Sequence, residues 1–264
     1  MILVVAEQRK GKVHRASWEA IAAAQTLAAG DVIEALVLGT SIQAAADEVA
    51  QAAVSSVHVI DHSTLEPYTP DGYVTALEQA LAALKPRWVL FPHTYQVRDF
   101  APKLAGRLGR PLITDCTGIK RQGEHATFLR PVFQGKLTAE VEAQGEHPHL
   151  ISVQIGAYRA DQAARGTSAA PVKALQVQLD PAAIRERPEE PFQEARQAVD
   201  LSQAERIVAV GRGIKAQEHA VVYPRLCQPH SDVVRRGRSP LSRTNRGGHR
   251  RWLRSRSAEG MSSH

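Results

Sequence analysis

Two stretches of this chain gather residues that could hold a charged or redox-active ligand. The first, FPHTYQVRDF, sets His93, Thr94, Tyr95, Arg98 and Asp99 directly after an apolar run. If that run is a strand, these side chains stand at its C-terminal end, where open α/β sheets bind ligands and partners. Physics alone favours a purely local role: Asp99 caps the following helix while Arg98 pairs on the surface. The second stretch is IVAVGRGIKAQEHAVVYPRLCQPH, Ile207 to His230, in which GRGIKA fits the pattern GxGxxA. It follows an expected strand, and Asp232 stands about twenty residues on, as a dinucleotide fingerprint requires. That fingerprint also needs a helix whose N-terminal amides face the pyrophosphate. QEHAVVYPRLCQP instead carries Pro224 and Pro229 with no sustained apolar stripe, and no following strand is visible. A nicotinamide site is therefore disfavoured, whereas Gly211 and Gly213 around Arg212 still suit a backbone lying against a phosphate or flavin.

Other chemistry is sparse. There is no GxSxG, HExxH or Walker phosphate loop. His147 and His149 in EHPHL fit a turn before a strand better than a metal site, and no metal is expected. Cys116 and Cys227 are too far apart for a CxxC pair and fit no disulfide framework, so both are expected to be bystanders in a reducing compartment. No catalytic residue can be named.

The elements that must position these residues follow from periodicity. ILVVAE is a continuous apolar run suited to a strand covered on both faces, and ASWEAIAAAQTLAAG is a helix stopped by Gly30. VIEALVLG and SVHVID are the next strands, with a helix from Ser41 to Ala53 between them. Thr69 caps a helix with Pro70 in its first position, and Val74, Leu77, Leu81 and Leu84 share one face. RWVLFP is a fourth strand, followed by a helix in which Phe100, Leu104 and Leu108 share a side before Gly109 ends it. Four strand-helix steps imply a parallel sheet with helices on both faces. KLTAEVEA and ISVQIGAY then alternate apolar and polar residues, which implies an antiparallel extension with one wet face.

Charge divides the chain. Residues 220–264 hold ten Arg, no Lys, one Asp and one Glu, a net of +8 against +6 for the whole, which leaves about −2 for residues 1–219. The stretch from Asp180 to Asp200, with RERPEEP, has the composition of a linker. The expected organisation is an N-terminal α/β domain at 1–180, a linker at 181–200, the start of a second α/β domain at 201–219 and an irregular basic tail at 220–264. No apolar run approaches a membrane span, and MILVVAE enters a strand at once, which places the chain in the cytoplasm as an expectation.

Three segments, LFPHTYQVRDFAPKLAGRLGRPLITDCTGI, TFLRPVFQGKLTAEVE and VDLSQAERIVAVGRGIK, resemble in that order and spacing the alpha subunit of electron transfer flavoproteins. The resemblance covers about Met1 to Lys215. It implies a redox carrier and not an enzyme in its own right, a heterodimer with a beta subunit, and FAD held by the C-terminal domain. It implies electrons taken from acyl-CoA dehydrogenases or other flavin dehydrogenases, as in fatty acid beta-oxidation, and passed to a quinone oxidoreductase. The family's GRG turn touches FAD, which assigns Arg212, with Gly211 and Gly213, to the cofactor. The family's later FAD-contacting segments have no counterpart in residues 220–264, so the tail is expected to be truncated or out of frame and the chain impaired in holding FAD. The alternative is a nucleic-acid-binding tail, since arginines spaced by Ser and Gly can neutralise phosphates. A nucleotide-hydrolysing first domain is a third reading, weakened by the missing phosphate loop.

Overall fold

Five apolar residues in succession have no wet face to offer, and Ile2–Ala6 accordingly forms β1 at the centre of a sheet, buried throughout. The computed structural model describes residues 1–123 and 125–189, together with the backbone of two short strands at 207–210 and 232–235. A hairpin of β2 (Gln8–Arg9) and β3 (Lys12–Val13) leads into α1 (Arg15–Ala28). There follow β4 (Ile33–Gly39), α2 (Gln43–Val49), β5 (Ser56–Asp61), α3 (Pro70–Leu84), β6 (Trp88–Pro92) and α4 (Tyr95–Leu108). Next come β7 (Leu112–Cys116), β8 (Gly118–Gln122), β9 (His125–Val132), β10 (Leu137–Glu142), β11 (His149–Val153) and β12 (Val172–Ala174).

Seven strands form one parallel sheet in the order β12, β5, β4, β1, β6, β11, β7. The chain builds outward from β1 through β4 to β5, then returns to add β6 on the other side. Helices α1 and α2 cover one face over a core that includes Ile21, Leu27 and Val49. Helices α3 and α4 cover the other over Leu77, Phe100 and Leu104. The four expected strand-helix steps are all present. Thr69 caps α3, its hydroxyl accepting the Gly72 N–H, and Gly109 ends α4 in the left-handed region at φ 61°.

Two expectations change. KLTAEVEA does form an antiparallel strand, β10, in a three-stranded sheet with β9 and β8, but only its C-terminal half packs: Val141 and Ala143 lie against the core while Leu137 is 59% exposed. ISVQIGAY is not a half-wet antiparallel strand. Its first three residues end β11, which runs parallel between β6 and β7 and is buried on both faces. The polar alternate, Ser152, is enclosed and hydrogen-bonded, so the period-two pattern there does not mark a solvent face.

The first compact unit runs from Met1 to Glu190, and the second from Pro191. In the second, β13 (Ile207–Val210) pairs in parallel with β14 (Asp232–Arg235), a short strand that the residue pattern of the tail did not announce. In the first, the stretch after β12 straps across α3. Leu175, Val177 and Leu179 pack on the core, and Gln178 and Gln79 exchange hydrogen bonds of 2.8 and 2.9 Å. Asp71, almost fully buried, then takes the Arg185 N–H at 3.2 Å and pairs with Lys103, which also reaches Glu186 at 3.0 Å.

Lys103→Met is expected to cost about 2 kcal/mol, measured by urea unfolding, because it removes the ammonium from the buried Asp71 carboxylate and leaves it only the longer 3.5 Å contact to the exposed Arg185 guanidinium. The Lys103 ammonium holds Asp71 well below the usual carboxylate range. A depressed carboxyl stabilises the fold fully above its unfolded pKa and loses that contribution as pH falls toward the folded value. The difference between wild type and variant should thus be complete at pH 7 and narrow below about pH 4.

Candidate functional site

The upper edge of the sheet is set by where its strands stop. At the end of β6, His93 donates its backbone N–H to Val153 O at 2.8 Å, which ties it to β11. Thr94 is the N-cap of α4, its Oγ1 accepting the Val97 N–H at 3.2 Å and donating to the buried Glu7 carboxylate at the end of β1. Asp99 therefore does not cap the helix, as local spacing suggested. It lies within α4 and accepts the Tyr68 hydroxyl at 2.9 Å, and burial, with Asp99 second, pushes that phenol's pKa up. Tyr95 is 87% exposed, with the Arg98 guanidinium 5.5 Å from its ring centre. Of the five residues singled out by sequence, His93 belongs to the edge polar group described next and Arg98 is near enough for its charge to act on His93, Thr94 and Asp99 are spent on structure, and Tyr95 projects outward.

Four residues grouped around His93 carry no local sequence signal, because they come from other elements. Ser152 on β11 sits 2.8 Å from His93 Nδ1 and accepts the Asp115 N–H at 3.1 Å. Asp115, in β7, holds a left-handed φ of 61°, and its Oδ1 lies 3.8 Å from His93 Nε2. Gln154 donates to its Oδ2 at 3.2 Å. Arg130 on β9 completes the group, and its charge is felt by both His93 and Cys116. Burial is the largest influence on His93 and lowers its pKa despite Asp115. Burial likewise raises the Cys116 thiol to about 12, so at neutral pH it stays protonated and inert.

Serine, histidine and aspartate together invite comparison with a nucleophilic triad, but the connections run the wrong way. A triad's acid holds Nδ1 and its serine meets Nε2. Here the serine holds Nδ1, the acid stands off Nε2, and Ser152 is 1% exposed, out of reach of any substrate. The group positions a histidine and does not activate a serine.

The crevice between the ends of β1 and β6, where the strand order reverses, is where a nucleotide would bind in this architecture. It is filled by the chain itself. Gln8 lies over Gly39 and donates to Leu38 O at 3.3 Å, and the Tyr73 hydroxyl reaches the same carbonyl at 3.4 Å. A Cβ on Gly39 would come within 2.4 Å of Gln8 Nε2, so glycine is what lets that side chain settle there. The remaining cleft, lined by Glu7, Gln8, Tyr73 and Gln96 among others, has a volume of about 10 Å³, space for one water. It takes neither a nucleotide nor a flavin, and the Glu7 carboxylate is part of its lining. This cleft leaves no room for nucleotide hydrolysis.

His149 opens β11, its Nε2 3.1 Å from Gly145 O, with the His147 ring 4.5 Å away. Among the described residues no three His, Cys, Asp or Glu side chains stand close enough to hold a metal ion, and no helix is long and apolar enough to cross a membrane. Gly211, Arg212 and Gly213 lie outside the described residues, as does the arginine-rich tail apart from β14. The strand that leads into the GRG turn, β13, is described.

Residues 2–180 match the electron transfer flavoprotein domain. Among similar proteins, the electron transfer flavoprotein subunit alpha of Bacillus subtilis strain 168 is 29% identical over 218 residues, 82% of this chain and 66% of the relative. The lactate dehydrogenase (NAD(+),ferredoxin) subunit LctC of Acetobacterium woodii is 29% identical over 220 residues, 82% of this chain and 52% of the relative. The acryloyl-CoA reductase electron transfer subunit beta of Anaerotignum propionicum is 29% identical over 240 residues, 81% of this chain and 65% of the relative. This chain thus spans at most about two thirds of these relatives' length.

Proposed function

The chain belongs to the electron transfer flavoprotein family, and from that premise we propose that it acts as the alpha-type subunit of a two-subunit electron carrier. The observation that carries this reading is the match over residues 2–180, which falls within the α/β unit Met1–Glu190.

In this reading the first unit is a docking platform for a beta subunit, with the exposed strand ends from His93 to Asp99 as its contact region. FAD, when bound, supplies the redox chemistry. Arg212, between Gly211 and Gly213, contributes a fixed positive charge and hydrogen-bond donors toward it. The electron donors are acyl-CoA dehydrogenases or related flavin dehydrogenases and the acceptor a quinone oxidoreductase. The relatives named for lactate dehydrogenase and acryloyl-CoA reductase widen the donor and acceptor chemistry open to this chain. Because the family's later FAD contacts have no counterpart after residue 220, the chain as it stands holds FAD weakly.

Co-expression with an electron transfer flavoprotein beta subunit tests both halves. The two chains should co-purify at equal stoichiometry, with flavin absorbance well below one FAD per dimer. Translating the coding DNA in all three frames past codon 220 should recover the missing FAD segments, and in a chain so restored Arg212→Ala should weaken FAD at least about tenfold. Failure to co-purify removes the docking role. Unchanged flavin affinity and potential in Arg212→Ala removes the arginine's role.

A further inference from the structure

At the edge formed by β6, β11 and β7, three donor side chains end without an acceptor. Ser152 Oγ accepts the Asp115 N–H, and His93 Nδ1 at 2.8 Å is the acceptor its hydroxyl proton meets among the described side chains, while the carboxylate facing Nε2 favours the proton on that nitrogen. The neutral imidazole then carries its proton on Nε2. The Asp115 Oδ1 that Nε2 faces is 3.8 Å away, beyond hydrogen-bond range. Arg130 is placed beside this pair by β9: Leu129 O accepts both the backbone N–H and the hydroxyl of Thr117, at 2.8 and 3.3 Å, which holds β9 against the end of β7. The Arg130 Nε is enclosed and meets no acceptor, and its guanidinium makes no ion pair among the described residues. Arg98, on the first turns of α4, lies over the Tyr95 ring and likewise has no carboxylate partner among them.

Native structures seldom leave an enclosed guanidinium nitrogen unpaired, since doing so costs the desolvation of a charged group. With His93 neutral, two arginines against one carboxylate leave one positive charge in surplus. Asp115 fixes the chemistry further. Its Oδ2 is satisfied by Gln154, whereas Oδ1 can only accept, so a ligand here must bring acceptors for the arginines and a proton for the aspartate.

We propose that this edge binds the protonated phosphoryl group of inorganic phosphate or a small phosphomonoester, held by Arg130 and Arg98, with His93 Nε2–H as a directed donor and Asp115 accepting the phosphate's own proton. The site shares His93 and Arg98 with the stretch proposed above for subunit contact, but it is built from side chains of this chain alone, so binding measured on the isolated chain tests it separately from the electron-carrier reading.

Sulfate separates this site from a general anion patch, because at pH 7 it matches phosphate in shape but has no proton for Asp115. Titration calorimetry of the full-length chain at low salt should show saturable binding of inorganic phosphate, with sulfate at least about tenfold weaker. Ribose 5-phosphate, compared with phosphate at about pH 6 where roughly half of a monoester keeps its proton, would identify an ester as the ligand by binding tighter, and the free anion by the reverse order. Asp115→Asn keeps a residue type that tolerates the left-handed backbone and should bring sulfate up to the affinity of phosphate. Arg130→Met should weaken both anions at least about tenfold, and Arg98→Gln, exposed and in contact, among the described residues, only with the exposed Tyr95 ring, should weaken them severalfold with an unchanged unfolding midpoint. The proposal is overturned if neither phosphate nor ribose 5-phosphate binds saturably, if sulfate matches phosphate in the wild type, or if Arg98→Gln and Arg130→Met bind as the wild type does.

Discussion

Replacing Phe91 with alanine is expected to lower the unfolding free energy by about 3–5 kcal/mol, the largest effect of any single substitution foreseen for this chain. Phe91 sits on β6, near the middle of the seven-strand sheet, with none of its surface exposed, and its ring meets Phe100 of α4 edge-on at 5.7 Å between centres. Truncation removes the apolar contact and leaves a cavity between sheet and helix that neither rigid neighbour can close. Urea unfolding should show the midpoint shift at constant slope, and Phe91→Leu should recover most of the loss because it keeps most of the volume. A cost below about 1 kcal/mol for the alanine variant would mean that α4 settles into the gap. The effect reaches the functional edge as well, since β6 ends at Pro92, one residue later, and leads directly into His93 and Thr94.

The parallel sheet was legible because its signals are local. Apolar runs such as Ile2–Ala6 and Trp88–Pro92 can be satisfied only by burial on both faces, and Thr69–Pro70 marks a helix start by chemistry confined to one turn. The misreadings come where a polar residue is satisfied at long range. Ser152 looks like a solvent-facing alternate until His93 and the Asp115 N–H are seen to occupy its hydroxyl. Asp99 and Thr94 both have a capping side chain, and only the position of the Val97 N–H decides between them. At the candidate site the sequence pointed to His93 and Arg98, but Asp115, Arg130, Ser152 and Gln154 reach them from β7, β9, β11 and the turn after β11. No spacing rule links those positions, because the sheet order that makes them neighbours is itself a tertiary fact.

Arg121 is the sharpest instance of that limit, and Arg121→Met is expected to destabilise the chain by about 3 kcal/mol. Helix α1 has no basic residue in its own last turn. Its terminal carbonyls are instead capped from β8: Arg121 Nη1 donates to Leu27 O at 2.7 Å and Ala28 O at 2.8 Å, and pairs with Asp31 at 2.6 Å. The side chain is 7% exposed, so methionine fills much of its volume while leaving two helix-end carbonyls and a carboxylate without their cation. Arg121→Lys restores the charge but not the forked geometry, and should fall between wild type and methionine. Hydrogen exchange gives a reading specific to the cap: amides in the last turn of α1 should lose protection in the methionine variant before those of its first turn do. Uniform loss along α1 would instead assign the effect to packing between α1 and the antiparallel sheet. Because β8 and β9 also carry Arg130 to the edge beside Asp115, loosening this anchor should weaken phosphate binding there too, without removing any residue that touches the anion.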